Sequence, residues 1–376
     1  MSQVENQALN GGGEPASSGI PVKNWLLLAI PVALALRWFD VNSILIFAAS
    51  LVAIYPLAEV MAEATEALAE TLGPTVGGLL NASLNNAPEI IIAMFALKHG
   101  LGDVVKASIT GSILVELLFG LGLAMFLGGL KHGIQRFNEE AIQINGGLLT
   151  LAGFGLIIPA VFNLSSPKAE NELSWEICGV LLLIYFVNLG ITLFRKTPET
   201  EAVGGSSQTV PAEEGGAGHW SRGKALGVLT GATLALAVMS EVVTDALEPT
   251  SKQLGLTPIF SGIILLAGAG GVGEIISATR FARNNNMDLA IEASVGSSIQ
   301  MILLAVPLLV FSAPLLGVHM NLLFSPVEVM AIVLTIVAIR NITSDGRSTW
   351  IEGLMLLAVY LMLAIGFYYL PVAPAA

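Results

Sequence analysis

Two glutamates in long apolar runs of this chain have the same surroundings and could form a cation site together. Glu89 stands in NASLNNAPEIIIAMFALKHG and Glu274 in LLAGAGGVGEIISATRFARNN. Each is followed, 23 residues later, by the serine of a Gly-Ser pair, which is Ser112 in the first copy and Ser297 in the second. A charge within hydrocarbon is costly, so intramembrane acids indicate function. The repeated spacing predicts one cation site to which two copies of one unit each contribute a carboxylate.

The segment before the first acid is rich in oxygen donors. Asn85, Asn86 and Pro88 precede Glu89 directly. A proline has no backbone donor and leaves a carbonyl oxygen four residues upstream without its usual partner, while the two amides add side-chain oxygens. Carboxylate, amide and carbonyl oxygens are the ligands that a hard cation prefers. The segment before Glu274 is GAGGVG, which supplies no side-chain oxygen.

Further polar residues follow in both copies. Ser112 and Glu116 are four residues apart and so share one helical face. Glu116 lies deep in the apolar run GSILVELLFG and is a third intramembrane carboxylate, while Glu292 lies nearer the end of its run. From these residue types we predict that the ligands of the cation come from Glu89, Glu274, Asn86, Glu116, Ser112, Ser297 and Gln300.

Two acidic stripes flank these segments at helical spacing. The first consists of Glu59, Glu63, Glu66 and Glu70, and the second of Glu241, Asp245 and Glu248. Each set repeats every three or four residues and therefore lies on one face of a helix. The stripes could line two cation vestibules, or their last members could simply emerge into solvent at a helix end. We predict a proton or cation pathway through Glu63, Glu241, Glu59, Asp245 and Glu292.

The composition is that of an integral membrane protein. Of the 376 residues, 54% are hydrophobic and 12% are charged, whereas soluble domains carry roughly 25% charged residues. The net charge of -12, with 16 scattered basic residues, does not favour nucleic-acid binding. A single cysteine, Cys178, excludes a cysteine metal cage. We find no nucleophile paired with a base, so we expect a transporter without a cofactor rather than an enzyme.

Apolar runs long enough to span a bilayer, about 20 residues each, predict an all-α protein with about eleven transmembrane helices. We place them at about 24–39, 43–70, 74–98, 103–130, 140–163, 174–195, 223–247, 257–281, 287–315, 323–340 and 349–370. The expected organisation is a disordered tail at 1–22, an extra first helix at 23–42, a five-helix repeat at 43–196, a flexible cytosolic linker at 197–221 and a second five-helix repeat at 222–371.

The order of the spans also predicts how the repeats and the termini are oriented in the membrane. An odd number of spans in each repeat forces the two copies into opposite orientations, which is a transporter architecture with its site near the middle of the bilayer. If the N-terminus is cytosolic, most of the 16 basic residues fall on the cytosolic side, as the positive-inside rule requires. We therefore expect the N-terminus and the linker in the cytosol and the C-terminus outside.

Several of these segments resemble the cation/proton exchanger (CAX) family of the calcium/cation antiporter superfamily. The matching stretches are GPTVGGLLNASLNNAPEIIIAMFALKHG, VVKASITGSI, LGGLKHGIQRFNEEA, SEVVTDALEPTSKQLGLTP and MDLAIEASVGSSIQMILLAVP. The resemblance implies an eleven-helix Ca²⁺/H⁺ antiporter with a mid-membrane site. It implies paired acids at Glu89 and Glu274, an amide at Asn86, motif positions at Ser112, Ser297 and Gln300, and flanking acids at Glu63 and Glu241.

The chain departs from that family at three positions. The family has Gly-Asn before the second acid, whereas this chain has Gly270-Gly271. The family's asparagine on the fourth span is Glu116 here, and a usual glycine on the ninth is Glu292. Our hypothesis is that Glu116 partly replaces the lost amide, which would place three carboxylates near the site.

The resulting functional expectation is exchange of Ca²⁺ for protons. Desolvation and mutual repulsion favour the protonated forms of paired buried carboxylates, and a divalent cation reverses that balance. Alternating access would then couple the two ions across a plasma membrane or, in a prokaryote, the inner membrane. The alternatives are a Na⁺/H⁺ or Na⁺/Ca²⁺ antiporter of the same fold, a channel, or an intramembrane enzyme.

Overall fold

A computed structural model describes residues 26–72, 74–163, 170–194 and 220–370 of the chain. The predicted tail at 1–22 and residues 197–219 of the predicted linker lie outside the described residues. The described part consists almost entirely of helices, joined by short connections and by one two-stranded sheet.

The helices of the first half are α1 (Ala29–Trp38), α2 (Ser43–Leu72), α3 (Pro74–Leu84), α4 (Ala87–Lys98), α5 (Gly102–His132), α6 (Glu139–Asn163) and α7 (Glu170–Phe194). Those of the second half are α8 (Arg222–Leu254), α9 (Pro258–Gly270), α10 (Val272–Arg283), α11 (Met287–Leu316), α12 (Pro326–Ile342) and α13 (Trp350–Tyr368). A short antiparallel pairing of β1 (Gln135–Arg136) with β2 (Arg347–Ser348) ties the end of α5 to the start of α13.

The expectation of a multi-pass membrane protein is confirmed. Seven of the described helices are long and apolar enough to cross a membrane, namely α2, α5, α6, α7, α8, α11 and α13. The pair α9 and α10 counts as an eighth span if it is taken together, although it is bent by 57°. The spans predicted at 24–39 and 323–340 coincide with α1 and α12, which have only 10 and 17 residues.

Two predicted spans are broken in the middle, and the two breaks have nearly the same backbone geometry. The span predicted at 74–98 is the pair α3 and α4, with Asn86 at φ -95° and ψ 16° before α4. The other is the pair α9 and α10, with Gly271 at φ -80° and ψ 8°. Pro88 explains the first break, because it has no amide hydrogen to donate to the carbonyl four residues earlier. The sequence around the second break contains no proline but is rich in glycine, which weakens a helix.

The long helices α2 and α8 pack against each other as an antiparallel pair. Arg222, at the start of α8, donates a hydrogen bond to the carbonyl of Thr71, near the end of α2. Buried residues of both helices, among them Ile54 and Met239, form a hydrophobic cluster with part of α1 and with single residues of α4, α5 and α9. A second and larger cluster joins α4 to α7 with α9 to α13. The protein thus consists of a peripheral helix pair and a larger helical body.

Two glycines allow α5 and α9 to approach each other closely. A Cβ atom on Gly111 would collide with the backbone carbonyl of Ile263, and one on Gly262 would lie 2.6 Å from the carbonyl oxygen of Val104. Small residues at such crossings let the backbones of membrane helices touch. This contact fixes the distance between α5, which follows the first broken span, and α9, which is part of the second.

We expect Gly262→Ala to destabilise the protein by about 1–3 kcal/mol, because the added methyl overpacks a backbone contact. Thermal unfolding of the purified protein in detergent measures this. Gly268→Ala is the matched control, since Gly268 lies on the same helix and a Cβ there would meet nothing within 4 Å. Equal melting temperatures for the two variants would contradict the role given to Gly262.

Candidate cation site

The two acids singled out by their spacing occupy equivalent places in the structure. Glu89 lies in the first turn of α4 and Glu274 in the first turn of α10. In each case the helix begins immediately after a break, so the acid lies at a helix N-terminus. Unpaired amide groups and the positive end of the helix dipole favour a negative charge there.

The first acid reaches across to the second break. A Cβ atom on Gly270 would lie 3.2 Å from Oε1 of Glu89, so this carboxylate is packed against the backbone just before Glu274. A Cβ atom on Gly271 would lie 3.4 Å from Cγ1 of Val115, the residue before Glu116 on α5, so α5 also passes the second break. Glu89 and Glu116 are 9% and 1% exposed, and Glu274 is partly exposed. Three carboxylates from α4, α5 and α10 therefore surround one region.

Glu116 is positioned by a widened turn in the middle of α5. The helix adopts π-helical geometry over Val115–Gly120, a feature that often occurs at functional sites. Ser298 on α11 donates its hydroxyl to Oε2 of Glu116 at 2.6 Å. On α11, two π-helical turns, Glu292–Gly296 and Met301–Ala305, flank the segment that holds Ser298. These irregular turns direct Glu116 toward α11 and toward the other two acids.

A second pair of polar residues links the two halves of the chain. The hydroxyl of Ser297 donates to Oδ1 of Asn86 at 2.9 Å, and Nδ2 of Asn86 contacts the carbonyl oxygen of Ser297 at 3.5 Å. Both residues are buried. Asn85, in contrast, is exposed. Consecutive residues at the break therefore point in different directions, and Asn86 is the one of the two that we predict as a ligand.

Several oxygens of this region are buried without a hydrogen-bond partner. They are Oε2 of Glu89, Oε1 of Glu116 and Oε1 of Gln300. A buried carboxylate oxygen without a partner is costly unless a proton or a cation compensates it. Ser112 is also buried, one turn before Glu116 on α5. Within the described ranges, no three His, Cys, Asp or Glu side chains converge closely enough to hold a metal ion. A cation bound here would need the amide and hydroxyl oxygens as well, or a closer approach of the acids.

Glu292 is held by a residue that the sequence analysis did not select. Nδ2 of Asn145, on α6, donates to Oε2 of Glu292 at 3.1 Å. Oε1 of Glu292 packs against Gly296, where an added Cβ would lie 2.5 Å away. Asn145 is buried, and its position within the apolar segment AIQINGGLLT was the signal that could have identified it.

The two acidic stripes lie toward opposite ends of the antiparallel pair α2 and α8. Glu59 and Glu63 on α2 and Glu241 on α8 are half-buried, and Oε2 of Glu59 has no hydrogen-bond partner. Asp245 is exposed and forms ion pairs with Arg37 and with His99, the latter at 2.8 Å.

The outermost acids of the stripes behave as solvent-facing residues. Glu70 and Glu248 are exposed, and Glu248 pairs with Lys252 one turn later at 2.6 Å. For these two residues the geometry fits the alternative of helix ends that emerge into solvent.

Comparison with known proteins gives the same result for both halves of the chain. The family model described as sodium/calcium exchanger protein matches residues 42–194 and 224–369. A Ca(2+)/H(+) antiporter of Aphanothece halophytica is 37% identical over 93% of this chain and 96% of its own length. The Ca(2+)/H(+) antiporter ChaA of Bacillus subtilis (strain 168) is 38% identical over 87% of this chain and 93% of its own.

A solved structure of the Ca2+/H+ antiporter protein YfkE matches the fold with a TM-score of 0.79. It is 35% identical to this chain, and the match covers 93% of this chain and 99% of that one. These matches confirm the resemblance to cation/proton exchangers that the sequence motifs indicate. The chain belongs to the sodium/calcium exchanger protein family.

Proposed function

We propose that this protein is a secondary active antiporter that exchanges Ca²⁺ for H⁺ across a membrane by alternating access. The observation that carries the proposal is a pair of acids, Glu89 and Glu274, in the first turns after two equivalent helix breaks, with a third buried acid, Glu116, in a π-helical turn of α5. Relatives that match nearly the full length of the chain carry the name Ca²⁺/H⁺ antiporter, which supports the same assignment. A secondary transporter of this family needs no cofactor, and the transported ions are its substrates.

Proton binding and Ca²⁺ binding compete for the same oxygens in this proposal. With no cation present, the acids cannot all be ionised at low cost, because they are desolvated and repel one another. They therefore hold protons. One Ca²⁺ compensates the charges of Glu89 and Glu274, so its binding displaces their protons. Asn86, Ser112, Ser297 and Gln300 supply further oxygens, as the six to eight ligands of Ca²⁺ require.

In our proposal, Glu116 makes this site differ from the usual pattern of the family. Gly271 stands where an amide would complete the second copy, and Glu116 supplies a carboxylate from α5 in its place. Its free Oε1 is the atom offered to the cation, while Oε2 is held by Ser298. A third carboxylate adds negative charge to the site and favours a divalent over a monovalent ion.

The remaining acids would form the approach to this site. Glu59 and Glu63 on α2 lead from one end of the helix pair, and Glu241 and Asp245 on α8 lead from the other. The hydrophobic cluster of the pair meets the larger body through Ile92, Val104 and Leu266. A shift of the pair would change these contacts while the separate cluster of the larger body stays intact. Glu292, held by Asn145, would relay protons on the α6 side. Asp245 would have to exchange Arg37 and His99 for the ion.

The proposed topology has eleven spans, with α1 as an extra first helix and an inverted five-helix repeat on either side of the linker. Equivalent breaks at Asn86 and Gly271 support the duplication, as do the π-helical turns after Ser112 and Ser297. The N-terminus and the linker would be cytosolic and the C-terminus outside. In a prokaryote the protein would lie in the inner membrane.

Glu89→Gln and Glu274→Gln are each expected to abolish Ca²⁺-dependent proton flux in proteoliposomes, because an amide cannot release a proton to the cation. Glu328→Gln is the matched control. Glu328 is also a buried acid, but it caps α12 through Ser325, and glutamine can fill the same capping role. Flux that persists in both site variants would refute the assignment of these acids.

The identity of the transported cation can be measured directly. Under an imposed pH gradient, we expect the reconstituted protein to accumulate ⁴⁵Ca²⁺ and not ²²Na⁺, because a site with three acids suits a divalent ion. Liposomes that contain Glu89→Gln protein give the background. Sodium uptake driven by protons, without calcium uptake, would favour a Na⁺/H⁺ antiporter instead.

The role of Glu116 can be tested by restoring the amide. A Cβ on Gly271 would lie 3.4 Å from Cγ1 of Val115, which is an ordinary contact, so Gly271→Asn should fit. We expect Glu116→Asn to weaken Ca²⁺ transport and Gly271→Asn to restore part of the loss, with a coupling energy of about 0.5–3 kcal/mol.

The control for this cycle is Gly273→Asn, which adds an amide on the same helix where a Cβ meets nothing within 4 Å. Strictly additive effects of Glu116→Asn and Gly271→Asn, or an equal rescue by Gly273→Asn, would contradict the compensation.

A further inference from the structure

We infer that an anionic phospholipid binds in a cavity between α5 and α10. The cavity has a volume of about 490 Å³, which is within the usual size range of ligand pockets. Its apolar wall is formed by Leu123, Ile275 and Ile276, and its basic wall by Lys131, Arg280 and Arg283. No residue of the basic wall belongs to the proposed cation site.

The apolar and basic walls lie at different depths. Nζ of Lys131 and Nε2 of His132 lie 2.9 Å and 2.8 Å from the carbonyl oxygen of Arg283. The ends of α5 and α10 are therefore at the same level. Leu123 and Ile275 precede these ends by two helical turns and lie deeper in the membrane. The cavity is thus apolar at depth and basic at its mouth, on the face that the charge distribution predicts to be cytosolic.

The usual reason for basic residues at a helix end does not account for this arrangement. Cations near a helix C-terminus compensate the unpaired carbonyls there, but Lys131 and His132 already contact the carbonyl of Arg283. Arg280 and Arg283 both line the cavity.

A phospholipid matches each of these features. Its phosphate accepts charge-assisted hydrogen bonds from guanidinium groups, and its acyl chain covers the apolar wall. Ile276 is 44% exposed, so this wall opens to the surroundings of the protein. Basic pockets between membrane helices bind anionic head groups. A free phosphate ion would leave the apolar wall uncovered, which favours a lipid.

Native mass spectrometry of the full-length protein in detergent tests the proposal with phosphatidylglycerol and phosphatidylcholine as probes. We expect phosphatidylglycerol to bind more tightly than phosphatidylcholine, and Arg280→Gln/Arg283→Gln to weaken its binding by about tenfold or more. Ile276→Trp, which fills the apolar wall and keeps every charge, should weaken it as well. The control Arg340→Gln/Arg347→Gln removes the same charge outside the cavity and should bind as the wild type does.

Four results would overturn the proposal. Equal retention of the two lipids would show that the basic wall does not contribute to binding. Unchanged binding by Ile276→Trp, or displacement of phosphatidylglycerol by inorganic phosphate, would show that the site recognises only the anion. Equal loss in the control would indicate general charge attraction. Melting temperatures identify a variant that fails to fold, in which case Arg283→Gln alone replaces the double variant.

Discussion

The structure depends on one physical constraint, which is the cost of an ionised carboxylate in a medium of low dielectric constant. Glu116 is 1% exposed and Glu89 is 9% exposed, and both lie within a helical body of apolar side chains. Such groups are stable only when a proton or a cation compensates them. An ion exchanger needs this property, since neither occupant can leave before the other replaces it. In the proposed mechanism, the carboxylates would provide the coupling as well as the binding energy.

The rest of the fold brings these groups together and holds them apart from lipid. Two helix breaks place Glu89 and Glu274 at helix N-termini, where irregular backbone lines a cavity between helices instead of facing lipid. Gly111 and Gly262 allow α5 and α9 to touch, so the first half and the second half share one region. The hydrogen bonds of Ser298 with Glu116 and of Ser297 with Asn86 then set the side-chain directions.

Much of this arrangement follows from the sequence, because the bilayer imposes strict requirements on composition and length. The apolar runs gave the long helices, and the equal spacing from each acid to its serine identified Glu89 and Glu274. Side-chain direction at a break does not follow in this way. Asn85 and Asn86 are equivalent in the sequence, and only the backbone turn decides that one is exposed and the other buried.

Contacts between distant helices were also beyond sequence reasoning. Asn145 holds Glu292, and Asp245 is engaged by Arg37 and His99. Such pairings depend on how the helices pack, so the sequence does not indicate which side chain meets which. The short length of α1 and the bend between α9 and α10 result from local sequence, tight packing and glycine content. The length of an apolar run does not reveal either feature.

The central claim is that protons and Ca²⁺ occupy the same carboxylates. Calorimetric titration of the detergent-solubilised protein with Ca²⁺, in buffers that differ in ionisation enthalpy, counts the protons released when the ion binds. Our account predicts proton release that decreases as the pH rises and fewer carboxylates are protonated at the start. The same binding enthalpy in every buffer would mean that no protons are released, and it would contradict the account.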